Sequence, residues 1–315
     1  MRAVVVDASQ ELTVADVPEP AAGPGEVLIE AEAIGVGYMD VMRLRDGSTS
    51  AGSIPGLEVL GRVRAAGSGV PEGLIGRRVL AQPDFGGYAE QVAVGADRLL
   101  PVPDGADPVE MVALGLNALV AEGAVHRTGV LPGDRVLVRG AGGGIGVLAT
   151  QIARARGAEV TAVTSSPERA ERLRALGAAK TVDRTRPEDT YGTYDVVVDT
   201  VAGPRVREHL ELLRPNGRYV LCGGVGGVPG PDVFEPLLRD FHRSSTLLAF
   251  SLRSVAPEER GKSWERVLAL HDGGGLAAVL DRSFPLTEAA AALQWVERGK
   301  SFGKVVLLQG QQRFP

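Results

Sequence analysis

A glycine-rich turn carries the residue types and spacing that point most directly to chemistry. Residues 140–146 read GAGGGIG, between the β-type segment RVLVR and an amphipathic segment ending QIARARGA. Backbone N–H groups in such a strand–turn–helix can bind a pyrophosphate, provided that no Cβ blocks its approach. Glycine-rich turns without ligands are common, but a second β-type segment, EVTAVTSS, follows this helix, as in a dinucleotide-binding unit. We therefore predict that the turn binds a dinucleotide. The predicted residues are Ala141, which stands where the first glycine is usual, Gly143, Gly144, Ile145 and Gly146.

The end of the segment EVTAVTSS indicates which dinucleotide binds. An acidic residue there would bind the ribose 2′-hydroxyl of NAD. This sequence instead has Thr164, Ser165 and Ser166, with Arg169 in the next helix and Arg184 at the end of the third strand. Hydroxyls and a guanidinium suit a 2′-phosphate, although Arg169 could also be a solvated helix residue. The sequence predicts NADPH.

The elements that position this turn follow from the hydrophobic patterns. The N-terminal third has short β-type segments separated by turn signals, which predicts a largely antiparallel β domain. Strands then alternate with helical patterns, which requires a parallel sheet with helices on its faces. A closing strand, GKVVLLQ, lies beyond this unit and could rejoin the first domain. We predict an α/β protein with one domain formed by residues 1–117 and 257–315 and a second by residues 118–256.

Composition excludes several classes of partner. The chain has 315 residues, with 34 basic and 39 acidic side chains, a net charge of −5 and no Lys/Arg-rich run. This balance argues against nucleic acid or an anionic membrane surface. The single cysteine, Cys222, excludes an internal disulfide and a multi-cysteine zinc site. The apolar run at the start is too short for a signal peptide, so we expect a cytoplasmic protein with a small-molecule substrate.

The sequence resembles the medium-chain dehydrogenase/reductases, in their zinc-independent quinone oxidoreductase (zeta-crystallin-like) branch. The resemblance covers nearly the whole chain. It is carried by PGEVLIEAEAIGVGYMDVMRLRDG, SIPGLEVLGRVRAAGSGV, GGYAE, LPGDRVLVRGAGGGIGVLATQIARARGAEV and GKVVLL. The resemblance implies a GroES-like β domain plus a Rossmann doubly wound parallel-sheet domain, with the active cleft between them. It also implies NADPH as hydride donor and a homodimer joined through the edge of the Rossmann sheet.

The ligand positions of the zinc-dependent relatives are filled by other residues here. Those relatives have a cysteine three residues before the aspartate that corresponds to Asp40, and a histidine in a Gly-His-Glu motif. This sequence has Gly37 and Leu57 at those positions, although Glu58 remains. A zinc site needs converging N, S or O ligands, so we predict no metal. Gly37 also replaces an asparagine that many relatives carry, which suggests a specialised substrate.

The resemblance also assigns the remaining site residues. Tyr38 and Asp40 fall in the substrate-side segment and are the candidate catalytic residues, although Tyr38 could equally be a packing aromatic. Tyr88 falls near the nicotinamide and is a second substrate-side residue. The remaining residues assigned to the cofactor are Asn117, Cys222, Gly223, Phe250 and Lys304.

Three functions stay open at this point. Without a Lewis acid, a conjugated acceptor is easier to reduce than an isolated carbonyl, because it delocalises the charge left by hydride attack. The first function is therefore an NADPH-dependent reductase of quinones or other α,β-unsaturated carbonyls. The second is a biosynthetic enoyl reductase whose acceptor is carried on a thioester. The third is an NADPH-binding protein with little turnover.

Overall fold

The computed structural model describes residues 1–47, 49–186 and 191–309. Its strands are β1 (Arg2–Val6), β2 (Leu12–Asp16), β3 (Glu26–Val36), β4 (Val59–Ala66), β5 (Arg78–Ala81), β6 (Gln91–Gly95), β7 (Leu99–Pro101), β8 (Arg135–Arg139), β9 (Glu159–Thr164), β10 (Lys180–Asp183), β11 (Tyr194–Asp199), β12 (Leu213–Leu221), β13 (Thr246–Ala249), β14 (Leu280–Pro285) and β15 (Lys304–Leu308). Its α-helices are α1 (Tyr38–Arg45), α2 (Pro108–Arg127), α3 (Gly144–Ala155), α4 (Pro167–Ala175), α5 (Val206–Leu210), α6 (Glu235–Arg239), α7 (Pro257–Asp272) and α8 (Ala289–Glu297). Short 3₁₀ turns cover Glu72–Leu74, Ala96–Arg98, Phe241–Arg243, Leu252–Ser254 and Leu286–Glu288.

The chain divides into two compact units. The first comprises Met1–Leu116 and Ala278–Pro315, and the second comprises Asn117–Ala277. The boundary falls inside α2, next to Gly115, whose φ of 30° and ψ of −132° interrupt the helix. The predicted boundary at residue 257 differs from this division, because α7 belongs to the second unit.

A buried carboxylate explains why α7 belongs to the second unit. Glu122 of α2 is 1% exposed and accepts hydrogen bonds from Arg266 Nε at 2.8 Å and from Ser263 Oγ at 2.6 Å. Trp264 and Val267, also on α7, are fully buried. These contacts join residues about 140 positions apart in sequence, so no local pattern reveals them.

The first unit is built on a largely antiparallel sheet, as expected of a GroES-like domain. In the described chain its strand order is β14-β15-β3-β4-β5-β7, with β6 also paired to β3. Strand β15 pairs antiparallel with β3, which confirms that the closing segment GKVVLLQ returns to the first unit. Alternate residues of β3, including Val27 and Ile29, face a core that also receives Leu293 of α8.

The second unit has the strand order of a Rossmann fold. Its parallel strands lie in the order β10-β9-β8-β11-β12-β13. The chain therefore starts in the middle of the sheet, builds outwards on one side, and crosses back between β10 and β11. Ligands of such sheets bind at the carboxyl ends of the strands beside this reversal, between β8 and β11. The predicted fold class is confirmed.

Helix α2 is long and apolar enough, by composition alone, to cross a membrane. Its mean hydropathy is 1.4 over the most apolar window, and 72% of that window is buried inside the protein. A largely buried apolar window of this kind is typical of the core helix of a folded domain.

Candidate functional site

The glycine-rich turn lies where β8 ends and α3 begins, at the strand-order reversal. Gly143 is the N-cap residue of α3, with φ −80° and ψ 168°, and no side chain of the described chain caps the helix. A Cβ on Gly146 would collide with the Gly140 carbonyl oxygen and lie 2.7 Å from Ala141 Cα. The nearest atom to a Cβ on Gly143 would be the same oxygen at 3.3 Å. Gly146 is therefore required for packing, whereas Gly143 keeps the helix N-terminus open to a ligand. This open, uncapped N-terminus fits a pyrophosphate.

Thr200, which the sequence reasoning missed, closes the other side of this edge. It follows β11, and its hydroxyl donates to the Arg139 carbonyl oxygen at 2.9 Å. A Cβ on Gly140 would collide with the Thr200 hydroxyl, and one on Gly223 would lie 2.8 Å from the Thr200 carbonyl carbon. The backbone at the carboxyl ends of β8, β11 and β12 is therefore closely packed around one residue, Thr200. Gly140 and Gly223, which pack closely against Thr200, were the feature of the sequence that could have indicated its position.

A buried charge cluster lies directly behind the turn. Asp199, at the end of β11, is fully buried and accepts from Arg139 Nη1 at 2.5 Å and from the Tyr219 hydroxyl at 2.6 Å. Its other oxygen accepts from the backbone N–H groups of Val201 and Ala202 at 2.8 and 3.0 Å. Burial, reinforced by Asp199, raises the pKa of Tyr219, so its hydroxyl remains a donor. The cluster fixes the loop after β11 to the strand that carries the glycine turn.

Cys222 and Gly223 follow β12 at the same edge. The Cys222 thiol is buried and contacts the Asp199 carbonyl oxygen at 3.6 Å. Burial raises its pKa to about 12, with the Asp199 charge adding to the effect. The thiol is therefore protonated at neutral pH, so Cys222 is a small neutral side chain at this edge.

A cavity of about 250 Å³ lies beside the end of β9, where the adenosine end of a dinucleotide is expected. Its lining residues are Thr164, Ser166, Pro167, Ala170, Arg174, Thr181, Asp183 and Arg186. Thr164 and Ser166 are predicted site residues, and Ser165 lies between them in the chain. Ser166 also caps α4, since its Oγ accepts from the backbone N–H of Arg169 at 3.2 Å.

The cationic residues of this cavity differ from the predicted ones. The lining includes Arg174 and Arg186, whereas Arg169 and Arg184 are not among the described lining residues. The lining also contains a carboxylate, because Asp183 pairs in register with Thr164 across β10 and β9. Hydrogen bonds from the Thr185 hydroxyl and N–H lower the pKa of Asp183, so it stays ionised at neutral pH. Strand pairing, invisible in the sequence, brings this charge to the end of β9.

Phe250 and Asn117, two further predicted cofactor residues, belong to the second unit. The Phe250 ring packs on α2, where a Cβ at Gly123 would collide with the ring and lie 2.7 Å from Phe250 Cε1. The Arg127 guanidinium lies 5.2 Å from the ring centroid. The structure thus gives this ring a packing role against α2. Asn117 is the first residue of the unit and is half-buried.

The predicted substrate-side residues of the first unit are joined by a buried hydrogen-bond network. Asp40 is 3% exposed, and its Oδ2 accepts from the Gly37 N–H at 2.9 Å and from the Tyr88 hydroxyl at 3.1 Å. Its Oδ1 is buried and has no hydrogen-bond partner among the described residues. Tyr88 is fully buried, and its hydroxyl is directed to Asp40 as a hydrogen-bond donor. Tyr38, half-buried at the start of α1, packs against the core of the unit. Asp40 and Tyr88 therefore hold the helix start on which Tyr38 lies.

Lys304, predicted to lie near the cofactor, makes a buried ion pair. Its Nζ donates to Glu58 Oε2, and both side chains are nearly fully buried. The second oxygen of Glu58 accepts from the backbone N–H of Leu116 at 2.5 Å. The structure therefore joins Lys304 to the residue just before β4 and, through that residue, to Leu116 of α2.

The buried Asp40 predicts a pH dependence of stability. Burial raises its pKa from 3.8 to about 6, although hydrogen bonds from Gly37 and Tyr88 oppose the rise. The folded state thus holds the proton more tightly, so this stability is complete below about pH 4 and is lost as the pH rises through about 6. A pKa difference of about 2 between the folded and unfolded states corresponds to roughly 3 kcal/mol of unfolding free energy. Between pH 4 and 8, the unfolding free energy of the wild type should fall by about that amount relative to the unfolding free energy of Asp40→Asn.

Urea unfolding of both proteins at the two pH values measures this difference. Asp104→Asn is the matched control, because the Asp104 side chain is 93% exposed and should leave the wild-type dependence unchanged. Equal pH dependence in the wild type and Asp40→Asn would contradict the assignment.

Comparisons with known proteins agree with this fold. Residues 23–104 match the family model described as alcohol dehydrogenase GroES-like domain, and residues 176–307 match the one described as zinc-binding dehydrogenase. The chain is 32% identical to 2-haloacrylate reductase of a Burkholderia species over 91% of each chain. It is 30% identical to a Pseudomonas aeruginosa quinone oxidoreductase, covering 91% of this chain and 92% of the relative.

Three other proteins are similar to this chain. A spectinabilin polyketide synthase protein of Streptomyces orinoci is 31% identical over 94% of this chain, which spans only 14% of that protein. The Thermus thermophilus quinone oxidoreductase, solved also as a complex with NADPH, superposes with a TM-score of 0.79 at 34% identity, covering 98% of this chain and 100% of the relative. The quinone oxidoreductase of Pseudomonas syringae pv. tomato gives a TM-score of 0.89 at 26% identity over 98% and 99% of the two chains.

The fold, the open glycine turn and these relatives define the class of protein: a medium-chain dehydrogenase/reductase. Within that class, the chain belongs to the quinone oxidoreductase family.

Proposed function

We propose that this protein is an NADPH-dependent oxidoreductase that reduces a quinone or another α,β-unsaturated carbonyl. The observation that carries the proposal is the uncapped N-terminus of α3 at Gly143, at the strand-order reversal. The complex of the Thermus thermophilus relative with NADPH supports the choice of nucleotide. The names of the relatives, 2-haloacrylate reductase and quinone oxidoreductase, support a conjugated acceptor.

Different residues of the chain bind the cofactor and supply the proton. When bound, NADPH supplies a hydride. The turn at Gly143 and the N-terminus of α3 hold the pyrophosphate through backbone N–H groups. Hydride addition to a conjugated acceptor leaves negative charge on its carbonyl oxygen, which a hydrogen-bond donor stabilises. We assign that donor to Tyr38, on the helix start that Asp40 and Tyr88 hold in place.

A panel of acceptors tests the proposal. We expect steady-state NADPH oxidation with quinones or enones, and none with simple ketones. Tyr38→Phe keeps the packing surface and removes only the hydroxyl, so a fall in kcat with unchanged stability would support proton donation. Tight NADPH binding without turnover on any acceptor would instead favour a binding protein with little activity.

A second candidate is reduction of an enoyl group carried on a thioester. It is favoured by the match of almost the whole chain to a part of the spectinabilin polyketide synthase protein. Rates with enoyl thioesters and free enones, compared at equal concentration, separate the two candidates. A kcat/KM at least about tenfold higher for the thioester, equal to about 1.4 kcal/mol, would favour the second.

We further propose that the reaction proceeds without zinc. At the two positions where zinc-dependent relatives have ligands, this chain has Gly37, whose N–H donates to Asp40, and Leu57, whose side chain has no ligating atom. Activity should therefore be the same with and without a chelator. Loss of activity on chelation, restored by zinc, would contradict this proposal.

Nucleotide preference tests the cavity at the end of β9. Arg174 and Arg186 line it together with the Ser166 hydroxyl, so we propose that they bind the 2′-phosphate. The double variant Arg174→Ala with Arg186→Ala should lower the affinity for NADPH by about ten- to a hundredfold and leave the affinity for NADH unchanged. A loss of this size corresponds to one or more charge-assisted hydrogen bonds. Dissociation constants from calorimetry measure both effects.

Two further variants sharpen that test. Asp183→Asn removes the carboxylate from the same cavity and should strengthen NADPH without affecting NADH. The double variant Arg169→Ala with Arg184→Ala removes the same charge outside the lining. If this control weakens NADPH more than the Arg174 and Arg186 pair does, the original assignment to Arg169 and Arg184 holds. Equal loss of NADPH and NADH in the Arg174 and Arg186 variant would contradict a 2′-phosphate site.

We also propose a homodimer. Strand β13 ends the parallel sheet and, among the described strands, pairs only with β12. Leu238 and Phe241, close before β13 in the chain, are 75% and 77% exposed. Pairing of β13 with its copy across a two-fold axis would cover this edge. Light scattering should give the mass of a dimer, and a monomer at micromolar concentration would contradict the proposal.

A further inference from the structure

We propose that Glu58 and Lys304 are a positioning pair, which holds the start of the second half of α2 and with it Asn117, and that Lys304 does not contact the nucleotide. The inference rests on the proposed function, because Asn117 is one of the residues assigned to NADPH. It changes the part given to Lys304 from binding to positioning.

The break in α2 creates a backbone group that needs a partner. In a continuous helix the N–H of Leu116 would donate to the carbonyl four residues earlier. Gly115, with φ 30° and ψ −132°, interrupts that ladder. Glu58 Oε1 accepts the Leu116 N–H at 2.5 Å. The carboxylate thus acts as an N-cap for the second half of the helix, supplied by the residue just before β4.

The surroundings of this carboxylate are shaped to enclose it. A Cβ on Gly35 would lie 2.8 Å from Glu58 Cδ, and one on Gly115 would lie 3.0 Å from the same atom. Any other residue at either position would displace the carboxylate. Glu58 is 2% exposed and Lys304 is 3% exposed, so water does not compensate either charge. A buried carboxylate of this kind requires a cation and further hydrogen bonds, which Lys304 and Leu116 provide.

Positioning and direct binding predict opposite effects when Glu58 loses its charge. If Lys304 bound a phosphate of NADPH, Glu58→Gln would free its ammonium group and strengthen NADPH. If the pair instead positions Asn117, Glu58→Gln weakens the hydrogen bond that caps Leu116. The contact of Asn117 with NADPH is then weakened as well. The sign of the change in NADPH affinity therefore distinguishes the two roles.

The experiment compares Glu58→Gln, Lys304→Met and the double variant by NADPH titration of the full chain. We expect each single variant to weaken NADPH about tenfold, equal to about 1.4 kcal/mol, and the double variant to be no weaker than either. Lys300→Met, which removes an exposed lysine from the same unit, is the control and should bind as the wild type does. Stronger NADPH binding by Glu58→Gln, or additive losses in the double variant, would overturn the proposal.

A second readout does not depend on the nucleotide. Hydrogen exchange of the Leu116 amide in the free protein should be at least about tenfold faster in Glu58→Gln than in the wild type, because its acceptor is weakened. Unchanged exchange would overturn the positioning role even if NADPH binding falls. If the wild type fails to bind NADPH, the proposed function fails, whereas the exchange result still decides whether Glu58 caps Leu116. Circular dichroism of each variant verifies that the fold is retained.

Discussion

Gly143→Asp should abolish dinucleotide binding while the protein stays folded. Gly143 has extended backbone angles that any residue adopts, and a Cβ there would meet only one carbonyl oxygen, at 3.3 Å. Aspartate is also among the preferred N-cap residues, and relative to glycine it should stabilise α3 by roughly a few tenths of a kcal/mol. The same carboxylate would occupy the N–H groups that bind the pyrophosphate and repel its charge. We expect a loss of affinity of about a hundredfold or more, equal to about 2.7 kcal/mol.

Calorimetric titration and thermal unfolding measure the two sides of this prediction. NADPH and NADH should be weakened equally, because both carry the pyrophosphate. Gly143→Ala is the matched control: it adds a Cβ without charge and should weaken binding far less. Gly146→Ala should instead lower stability, since its Cβ would collide with the turn itself. Wild-type NADPH affinity in a folded Gly143→Asp protein would place the pyrophosphate elsewhere.

The order of elements was predictable from the sequence because each rests on a local pattern. The strand RVLVR, the glycine turn and the helix after it form β8, the turn and α3, with Gly157 in the left-handed region just beyond the helix end. Pro167 opens α4 with Ser166 as its N-cap. Hydrophobic period and turn chemistry act over a few residues, which is the range that a sequence displays.

The residues that the sequence did not reveal depend on contacts between distant segments. Asp183 reaches the cavity at Thr164 through strand pairing, and α7 joins the second unit through Glu122 and Arg266. Lys304 was recognised by its motif, but its partner Glu58 lies 246 residues away. Side-chain pairing across a fold is set by three-dimensional packing, and a charged residue in the sequence gives no indication of which partner it will meet.

The largest expected loss of stability is at the cluster behind the glycine turn. Arg139→Met leaves Asp199 fully buried without the cation that pairs with it, although the Tyr219 and backbone donors remain. Removing one partner of a buried ion pair typically costs about 3–5 kcal/mol, because the remaining charge is uncompensated. The double variant Arg139→Met with Asp199→Asn should recover much of that loss. Its asparagine oxygen can still accept from Val201 and Ala202, and its amide no longer faces a guanidinium.

Urea unfolding of the single and double variants tests this coupling, with Arg205→Met as the matched control. Arg205 pairs with Glu208 on the surface, where the two side chains are 46% and 60% exposed. An exposed pair is worth about 0–1 kcal/mol because water screens it and both side chains lose entropy. Arg139→Met should therefore cost several times more than Arg205→Met. A cost below about 1 kcal/mol for Arg139→Met would mean that water reaches Asp199 and that the loop after β11 is held by its backbone hydrogen bonds alone.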